Sequence, residues 1–310
     1  MSAVAFCVDI GGSFMKFGLA RSGEAVRQVD QVPTPAHSWA DFVAALAALC
    51  ARHGEGQPDD APLAISMAGI VDPDSGILTT ASNLPGLVGH QLAAELTVAL
   101  GRPVRVANDA DCFALAEASV GAGRGRRVVF GIIIGTGIGG GLVVGGRLVS
   151  GAAGITGEWG HGAIVKTMAG SPPITIPRLE CGCGRMGCIE TVGSARGLER
   201  LHRYLTGLTA DSRAIVDGWQ AGDATAGRTI AIFLELVAEP LALLVNAIGP
   251  HLVPVGGGLG SSAPLVAALD MAVRGQILRR TDEPLLVPAE LGSNAGLIGA
   301  AVLALQDEGQ

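Results

Sequence analysis

Aromatic side chains are scarce in this chain: one tyrosine, three tryptophans and seven phenylalanines among 310 residues, 4% in all. A core must therefore be built from Ala, Val, Leu and Ile. With 49% hydrophobic residues there are enough of them for a chain this long. Positive charge is also in deficit. Twenty-one Lys and Arg against 28 Asp and Glu leave a net charge of -7, which argues against a nucleic-acid partner held by a basic surface. No apolar run reaches the length of a membrane span, so no membrane partner is expected. The N-terminus has neither the basic segment nor the cleavage site of a signal peptide. A reducing cytoplasm is the expected compartment, and Cys7, Cys50 and Cys112 read as buried free thiols. The length implies two domains or lobes.

Glycine is abundant, 47 residues, and three of the six cysteines crowd into eight positions among glycines. This stretch runs from Gly157-Glu158-Trp159-Gly160-His161 to Cys181-Gly182-Cys183-Gly184-Arg185-Met186-Gly187-Cys188-Ile189-Glu190. Thiolate and imidazole are the usual ligands of a four-coordinate structural zinc. Glycine lets the backbone turn tightly enough for close sulfurs to face one ion. The expected ligands are Cys181, Cys183, Cys188 and His161, a closed set that shapes a loop and does no chemistry itself. Reduced cysteines in a glycine-rich turn are the plainer alternative. A disulfide between Cys181 and Cys183 would be strained, and nothing indicates an oxidising compartment.

A pattern of strand, small turn bearing a hydroxyl, and strand occurs twice. Val4–Ile10 and Phe14–Ala20 flank Gly11-Gly12-Ser13; Val128–Ile134 and Ile138–Val144 flank Gly135-Thr136-Gly137. Both read as β-hairpins. Turns of glycine with Ser or Thr present backbone N–H groups that can wrap phosphate oxygens. One alone would read as an ordinary hairpin; two at corresponding places suggest the two sides of one nucleotide's phosphates. A third glycine run, Gly256-Gly257-Gly258, leads into a helix, whose N-terminus favours anions.

Elsewhere strands and helices alternate, which predicts an α/β fold with a mainly parallel sheet and ligands at the carboxyl ends of strands. Ser38 and Asp41 predict a capped helix through about His53. Residues 79–87 read as a polar loop. Thr229–Ile248 reads as an apolar helix kinked or split by Pro240. Asp9, Gly69 and Asn108-Asp109 fall at strand ends. Asp109 is the candidate general base, since phosphoryl transfer to an alcohol needs a carboxylate near the hydroxyl proton. Taken alone, Asn108 and Asp109 also read as a helix cap. Asp9 could orient the water shell of Mg2+. Lys16 could add a positive charge there, or be a solvated strand lysine. Glu158, Glu190 and Asn83 suit the hydroxyls of a sugar.

Together Asp9–Lys16, Asn108-Asp109, Gly135–Gly141, Gly157–His161, Cys181–Glu190 and Gly256–Gly260 resemble the ROK family (repressors, open reading frames, kinases) over nearly the whole chain. The most specific piece is the Cys-x-Cys-Gly-x-x-Gly-Cys-x-Glu run with the upstream Glu-x-Gly-His. The resemblance implies an actin-like ATPase fold, two ribonuclease-H-like lobes whose interlobe cleft closes over ATP and a sugar. It implies a small lobe of 1–107 plus 295–310 and a large lobe of 108–294 carrying the zinc loop 157–190. It also implies ATP-dependent phosphorylation of the 6-hydroxyl of a hexose or N-acetylhexosamine. Asp109 matches the base. Gly69, Asn83, Asn108, Glu158, His161 and Glu190 match sugar contacts, with His161 shared between metal and sugar. Gly11, Gly12, Ser13, Gly135, Thr136, Gly137, Gly256, Gly257 and Gly258 match nucleotide contacts. ATP, Mg2+ and a structural Zn2+ are the implied cofactors, and a homodimer the implied assembly. Ser13 replaces the usual Thr and keeps the hydroxyl. Lys166–Glu180, with Pro172, Pro173 and Pro177, suggests an ordered excursion near the sugar mouth. A fructokinase, a sugar-responsive regulator and a non-catalytic sensor are the alternatives. A regulator's helix-turn-helix domain finds no room before the first hairpin.

Overall fold

Side chains in the first strand, β1 (Ala5–Ile10), alternate between large and small. Successive residues of a strand point to opposite faces, so this alternation sets the two layers around the first sheet. The computed structural model describes residues 4–21 and 26–306. The chain forms two compact units: Met1–Gly125, Gly141–Thr156 and Leu291–Gln310 make the first, Arg126–Gly140 and Gly157–Glu290 the second. Residues 108–125 thus lie with the first unit, and the chain crosses between units again at residues 140–141, 156–157 and 290–291.

In the first unit β1 pairs antiparallel with β2 (Phe14–Ala20), and β2 with β3 (Val26–Pro33). Helix α1 (Trp39–His53) begins where Ser38 Oγ accepts the Asp41 N–H at 3.2 Å, the predicted cap. Then come β4 (Leu63–Met67), the short β5 (Ile70–Val71) and β6 (Leu78–Thr80), α2 (Leu92–Leu100), β7 (Val104–Asn108) and α3 (Asp109–Ser119). The five-stranded sheet has the order β3-β2-β1-β4-β7, with β1, β4 and β7 parallel. On its large-residue face Phe6, Val8 and Ile10 pack with Phe42 and Leu46 of α1 and Leu92 and Leu96 of α2. Each such side chain contributes about 1.5–3 kcal/mol by leaving water. On the small-residue face Ala5, Cys7 and Ala64 receive the C-terminal helix, Ala295–Leu305, through Leu297, Ala300, Ala301 and Ala304. The predicted polar loop 79–87 is more structured than expected. It holds β6 and a single 3-10 turn, Pro85–Leu87, and buries Leu84 and Leu87.

The remaining elements are β8 (Val128–Ile134), β9 (Ile138–Val144), β10 (Arg147–Leu148), the small hairpin β11 (Met168–Ala169) and β12 (Ile174–Thr175), then α4 (Glu190–Gly193), α5 (Ala195–Thr206), α6 (Ser212–Gln220), α7 (Ala224–Ile248), β13 (Val253–Gly256), α8 (Gly257–Gly260), α9 (Ala263–Arg274) and β14 (Leu286–Pro288). The second sheet has the order β10-β9-β8-β13-β14, with β8, β13 and β14 parallel. The two sheets share one plan, three sequential strands followed outward by two more that run parallel to the innermost.

Two expectations need correction. Pro240 does not split α7, which runs unbroken for 25 residues between the Asp223 cap and Gly249. Its buried stripe (Ile230, Phe233, Leu236, Val237, Leu241 and Val245) outweighs one lost helix hydrogen bond. The same helix is also long and apolar enough to cross a membrane, contrary to the reading that no such run exists. It is half buried inside the fold and carries Arg228, Glu235 and Glu239, as a core helix does.

The C-terminal helix approaches β1 and α3 through glycines. A Cβ on Gly296 would run into Asp9 Oδ1, and one on Gly299 into the Cys112 carbonyl of α3. Gly299→Ala must therefore push this helix away from the one that begins at Asp109. The expected cost is about 1–3 kcal/mol, read as a lower denaturant midpoint at unchanged m-value. A variant as stable as the parent would show that the contact yields freely.

Candidate active site and metal cluster

In the first unit the carboxyl ends of β1, β4 and β7 lie side by side, Asp9 opposite Ser66 and Met67 opposite Asn108. Ser66 Oγ donates to Asp9 Oδ1 at 2.9 Å. Lys16 Nζ stands 3.8 Å from Asp9 Oδ2 and donates to the Ser293 carbonyl at 3.1 Å. Burial pushes the Asp9 carboxyl up, while the Ser66 hydroxyl and the Lys16 charge hold it down. Lys16 is thus tied to Asp9 rather than free in solvent. Ser66 escaped the sequence reading, although a lone hydroxyl in the apolar run Leu63–Met67 was an available signal.

Asn108 forms the expected helix cap and also ties the Gly69 segment. Its Oδ1 caps α3 by accepting the Ala110 N–H at 2.8 Å, and its Nδ2 donates to the Gly69 carbonyl at 2.8 Å. Gly69 has φ 140, and a Cβ there would meet the Thr80 carbonyl at 2.7 Å, so the position requires glycine. Asp109 Oδ1 shares the Ala110 N–H at 2.9 Å. The Asp109 side chain reaches solvent, yet protein crowds it on its other sides. That crowding pushes its carboxyl up; the Ala110 N–H opposes the shift and the Asp9 charge adds to it. Because the carboxylate still meets water, screening keeps the energy involved small.

The exposed turn Gly11–Ser13 is braced by Thr34, whose Oγ1 donates to the Gly11 carbonyl at 2.8 Å and whose N–H donates to the Ser13 carbonyl at 3.0 Å. Nothing in the sequence marked Thr34. Asn83 adjoins this turn: a Cβ on Gly12 would sit 3.4 Å from the Asn83 Cβ.

In the second unit the predicted metal ligands come together. His161 Nδ1 lies 3.6 Å from Cys181 Sγ, Cys183 Sγ lies 3.6 Å from Cys188 Sγ, and all four ligand atoms fall within 4.8 Å of one another. Four ligand atoms set tetrahedrally at about 2.3 Å from one ion stand about 3.8 Å apart, so the donor set fits zinc. The Cys181 N–H donates to the Arg185 carbonyl at 2.8 Å, closing the turn. The Cys183 thiol is pushed down to about 6 by the Arg185 backbone N–H, while burial and the neighbouring thiols push Cys181 up. The second imidazole nitrogen of His161 faces the Glu158 carboxylate, 3.6 Å from Nε2. That is the usual way a carboxylate orients a metal-bound histidine.

Glu190 lies between this cluster and the second glycine turn. Its Oε2 accepts the Ile138 N–H at 2.9 Å and its Oε1 is 3.7 Å from Cys181 Sγ. The Gly135–Gly137 turn also neighbours the third glycine run, since a Cβ on Gly257 would meet the Ile134 carbonyl carbon at 2.6 Å. Beside Gly258 opens a cavity of about 460 Å³ lined by Ser212, Arg213, Asp217, Gln220 and Ser261. The α6 residues were missed because they carry no motif. Lys166–Glu180 forms the β11–β12 hairpin, fastened to α7 by Lys166 to Glu235 and Glu239 at 2.5 and 2.6 Å and by the Gly170 N–H to Glu235 at 2.7 Å.

The ROK family matches residues 5–307. The chain is 36% identical over 299 residues to N-acetyl-D-glucosamine kinase of Pectobacterium atrosepticum, covering 96% of this chain and 98% of that one. It is 33% identical over 296 residues to N-acetylgalactosamine kinase AgaK of a Shewanella species, covering 96% and 95%. The crystal structure of the ROK hexokinase from Thermus thermophilus superposes with a TM-score of 0.81 at 33% identity, covering 96% and 97%. These matches and the repeated sheet plan define the actin-like ATPase fold. Within it, the chain belongs to the ROK family.

Purified protein is expected to carry about one zinc per chain, measured by plasma mass spectrometry. Cys181→Ser with Cys188→Ser should remove it and lower the melting temperature. Metal content well below one in the parent would refute the ligand set.

Proposed function

We propose that the protein is an ATP-dependent sugar kinase that transfers the γ-phosphoryl group to the 6-hydroxyl of a hexose. The favoured acceptors are N-acetylhexosamines, with glucose next. The observation that carries the reading is Asp109, an accessible carboxylate at the carboxyl end of a parallel strand, with its neighbour Asn108 fixed at both ends of its amide. The names of the relatives support the substrate class.

In this reading Asp109 Oδ takes the proton of the sugar hydroxyl as its oxygen bonds to the γ-phosphorus. The bond to the bridging oxygen breaks and its electron pair leaves with ADP. Asn83, Asn108, the Gly69 segment, Glu158, His161 and Glu190 are the candidates for sugar hydroxyls. Both Glu190 oxygens already face protein partners, but each keeps a second lone pair. The Gly11–Ser13, Gly135–Gly137 and Gly256–Gly258 backbones would bind phosphate oxygens, and the cavity beside Gly258 is of a size for the nucleoside. The Mg2+ accompanying ATP supplies charge neutralisation at the phosphates, and Asp9, a fixed hard-oxygen donor, suits its water shell.

ADP release should be measured with Mg·ATP and N-acetylglucosamine, N-acetylgalactosamine, N-acetylmannosamine, glucose and fructose. Turnover should be highest on an N-acetylhexosamine and absent on its 6-deoxy analogue. Sugar binding without turnover on any of them would replace the kinase by a sensor or regulator. Asp109→Asn should lower kcat by about 10²–10⁴-fold with sugar affinity little changed.

The pH dependence follows from the raised Asp109 carboxyl. The base works only when deprotonated, so kcat/KM should fall on the acid side at a pH above the ordinary aspartate range. Stability has the opposite dependence. The native state holds this proton more tightly than the unfolded chain, so ionised Asp109 weakens the fold once pH exceeds the native pKa. Asp109→Asn should thus be more stable than the parent at neutral pH, and the gap should close as pH falls. A gap that widens toward acid would contradict the assignment.

A further inference from the structure

Within the second unit, Ile138 is where the metal-binding loop meets the glycine turn. It is the first residue after Gly135-Thr136-Gly137. Two parts of the loop and the end of α4 converge on it. The Glu190 carboxylate accepts its N–H at 2.9 Å. A Cβ on Gly160, next to the ligand His161, would lie 2.9 Å from its Cβ, and one on Gly193 would lie 3.1 Å from its Cδ1. Glu190 also fastens the loop to itself: its N–H donates to the Gly160 carbonyl at 3.0 Å. Thus the residue two positions after Cys188 and the residue before His161 are joined, and the carboxylate between them holds the turn. The turn is shaped to accept this carboxylate, because a Cβ on Gly137 would lie 2.6 Å from Glu190 Oε2. The Ala195 N–H donates to the Gly135 carbonyl at 2.8 Å, completing the hold on the other side.

We propose that Glu190 is a positioning residue that couples metal loading to phosphate binding at the Gly135–Gly137 turn; this rests on the reading that the turn contacts the nucleotide. Four ligands on one ion fix His161 and Cys188, and so fix Gly160 and Glu190 beside Ile138. The turn then enters phosphate binding already ordered, and the ordering cost falls on metal binding instead. Without metal, His161 and the cysteines are free to separate, and phosphate binding must order both. Thermodynamic linkage makes the effect reciprocal: bound nucleotide must tighten metal binding by the same factor.

The experiment measures Mg·ADP affinity by calorimetry on zinc-loaded and chelator-stripped protein. Stripping should weaken Mg·ADP by about five- to thirtyfold. In Glu190→Ala the loaded and stripped forms should agree within about twofold. Glu190→Gln keeps an acceptor for the Ile138 N–H and should restore the difference, which a merely structural role would not require. If stripped protein unfolds, the reciprocal measurement uses loaded protein alone: zinc affinity against a competing chelator should rise with saturating Mg·ADP in the parent and not in Glu190→Ala. Equal Mg·ADP affinity with and without zinc, or zinc affinity indifferent to Mg·ADP, overturns the coupling and leaves the kinase reading intact. No Mg·ADP binding by the loaded parent overturns both.

Discussion

Asn108 meets two demands at once. Helix α3 needs an acceptor for a free N–H of its first turn, and the chain leaving β4 needs a donor for the Gly69 carbonyl. One planar amide answers both, so the ends of β4 and β7 are fixed relative to each other through a side chain. Asp109 inherits that rigidity, since it follows directly and shares the Ala110 N–H. Its carboxylate shares the capped N–H, and crowding by protein, with a smaller push from the Asp9 charge, shifts it upward. Position and basicity of the proposed base thus come from one local arrangement.

The two sheets repeat one order of strands yet carry different chemistry. The first ends its parallel strands in oxygen and amide groups: Asp9, Ser66, Asn108. The second ends β8 and β13 in glycine-rich turns and gathers its Cys and His side chains on a loop, 157–190. Oxygen donors at rigid strand ends need no further support. A long glycine-rich loop does, because its backbone entropy is large. A metal held by the cluster of sulfur and imidazole would supply that support.

Features whose cause lies within a few residues were legible in the sequence. The hairpin strands at 128–134 and 138–144, the α1 cap and the Asn108 cap all depend on near neighbours, and they stand where the residue types indicated. The Cys and His spacing was legible because few other chemistries use it. What escaped was set by distant partners. Strand β14 is three residues long and ends in proline; the N–H groups of its first residue, Leu286, and of the preceding Leu285 are met by the buried carboxylate of Asp270, some fifteen residues earlier. Strand β3 is half polar and pairs with β2. Pro240 suggested a break because local rules forbid it in a helix, and tertiary packing prevailed. Glu190 was read as a sugar contact from its residue type; its tie to Ile138 could not be read from a separation of 52 positions.

The C-terminal helix has a consequence for how the protein is made. It forms the small-residue face of the first unit, against a strand near the start of the chain. A ribosome delivers β1 before this helix, with the whole second unit between. The second unit can therefore complete its core while the first still shows Ala5, Cys7, Ala20 and Ala64 to solvent. Contacts of such long sequence separation form slowly. The nascent first unit thus waits, half covered, for the residues that finish it.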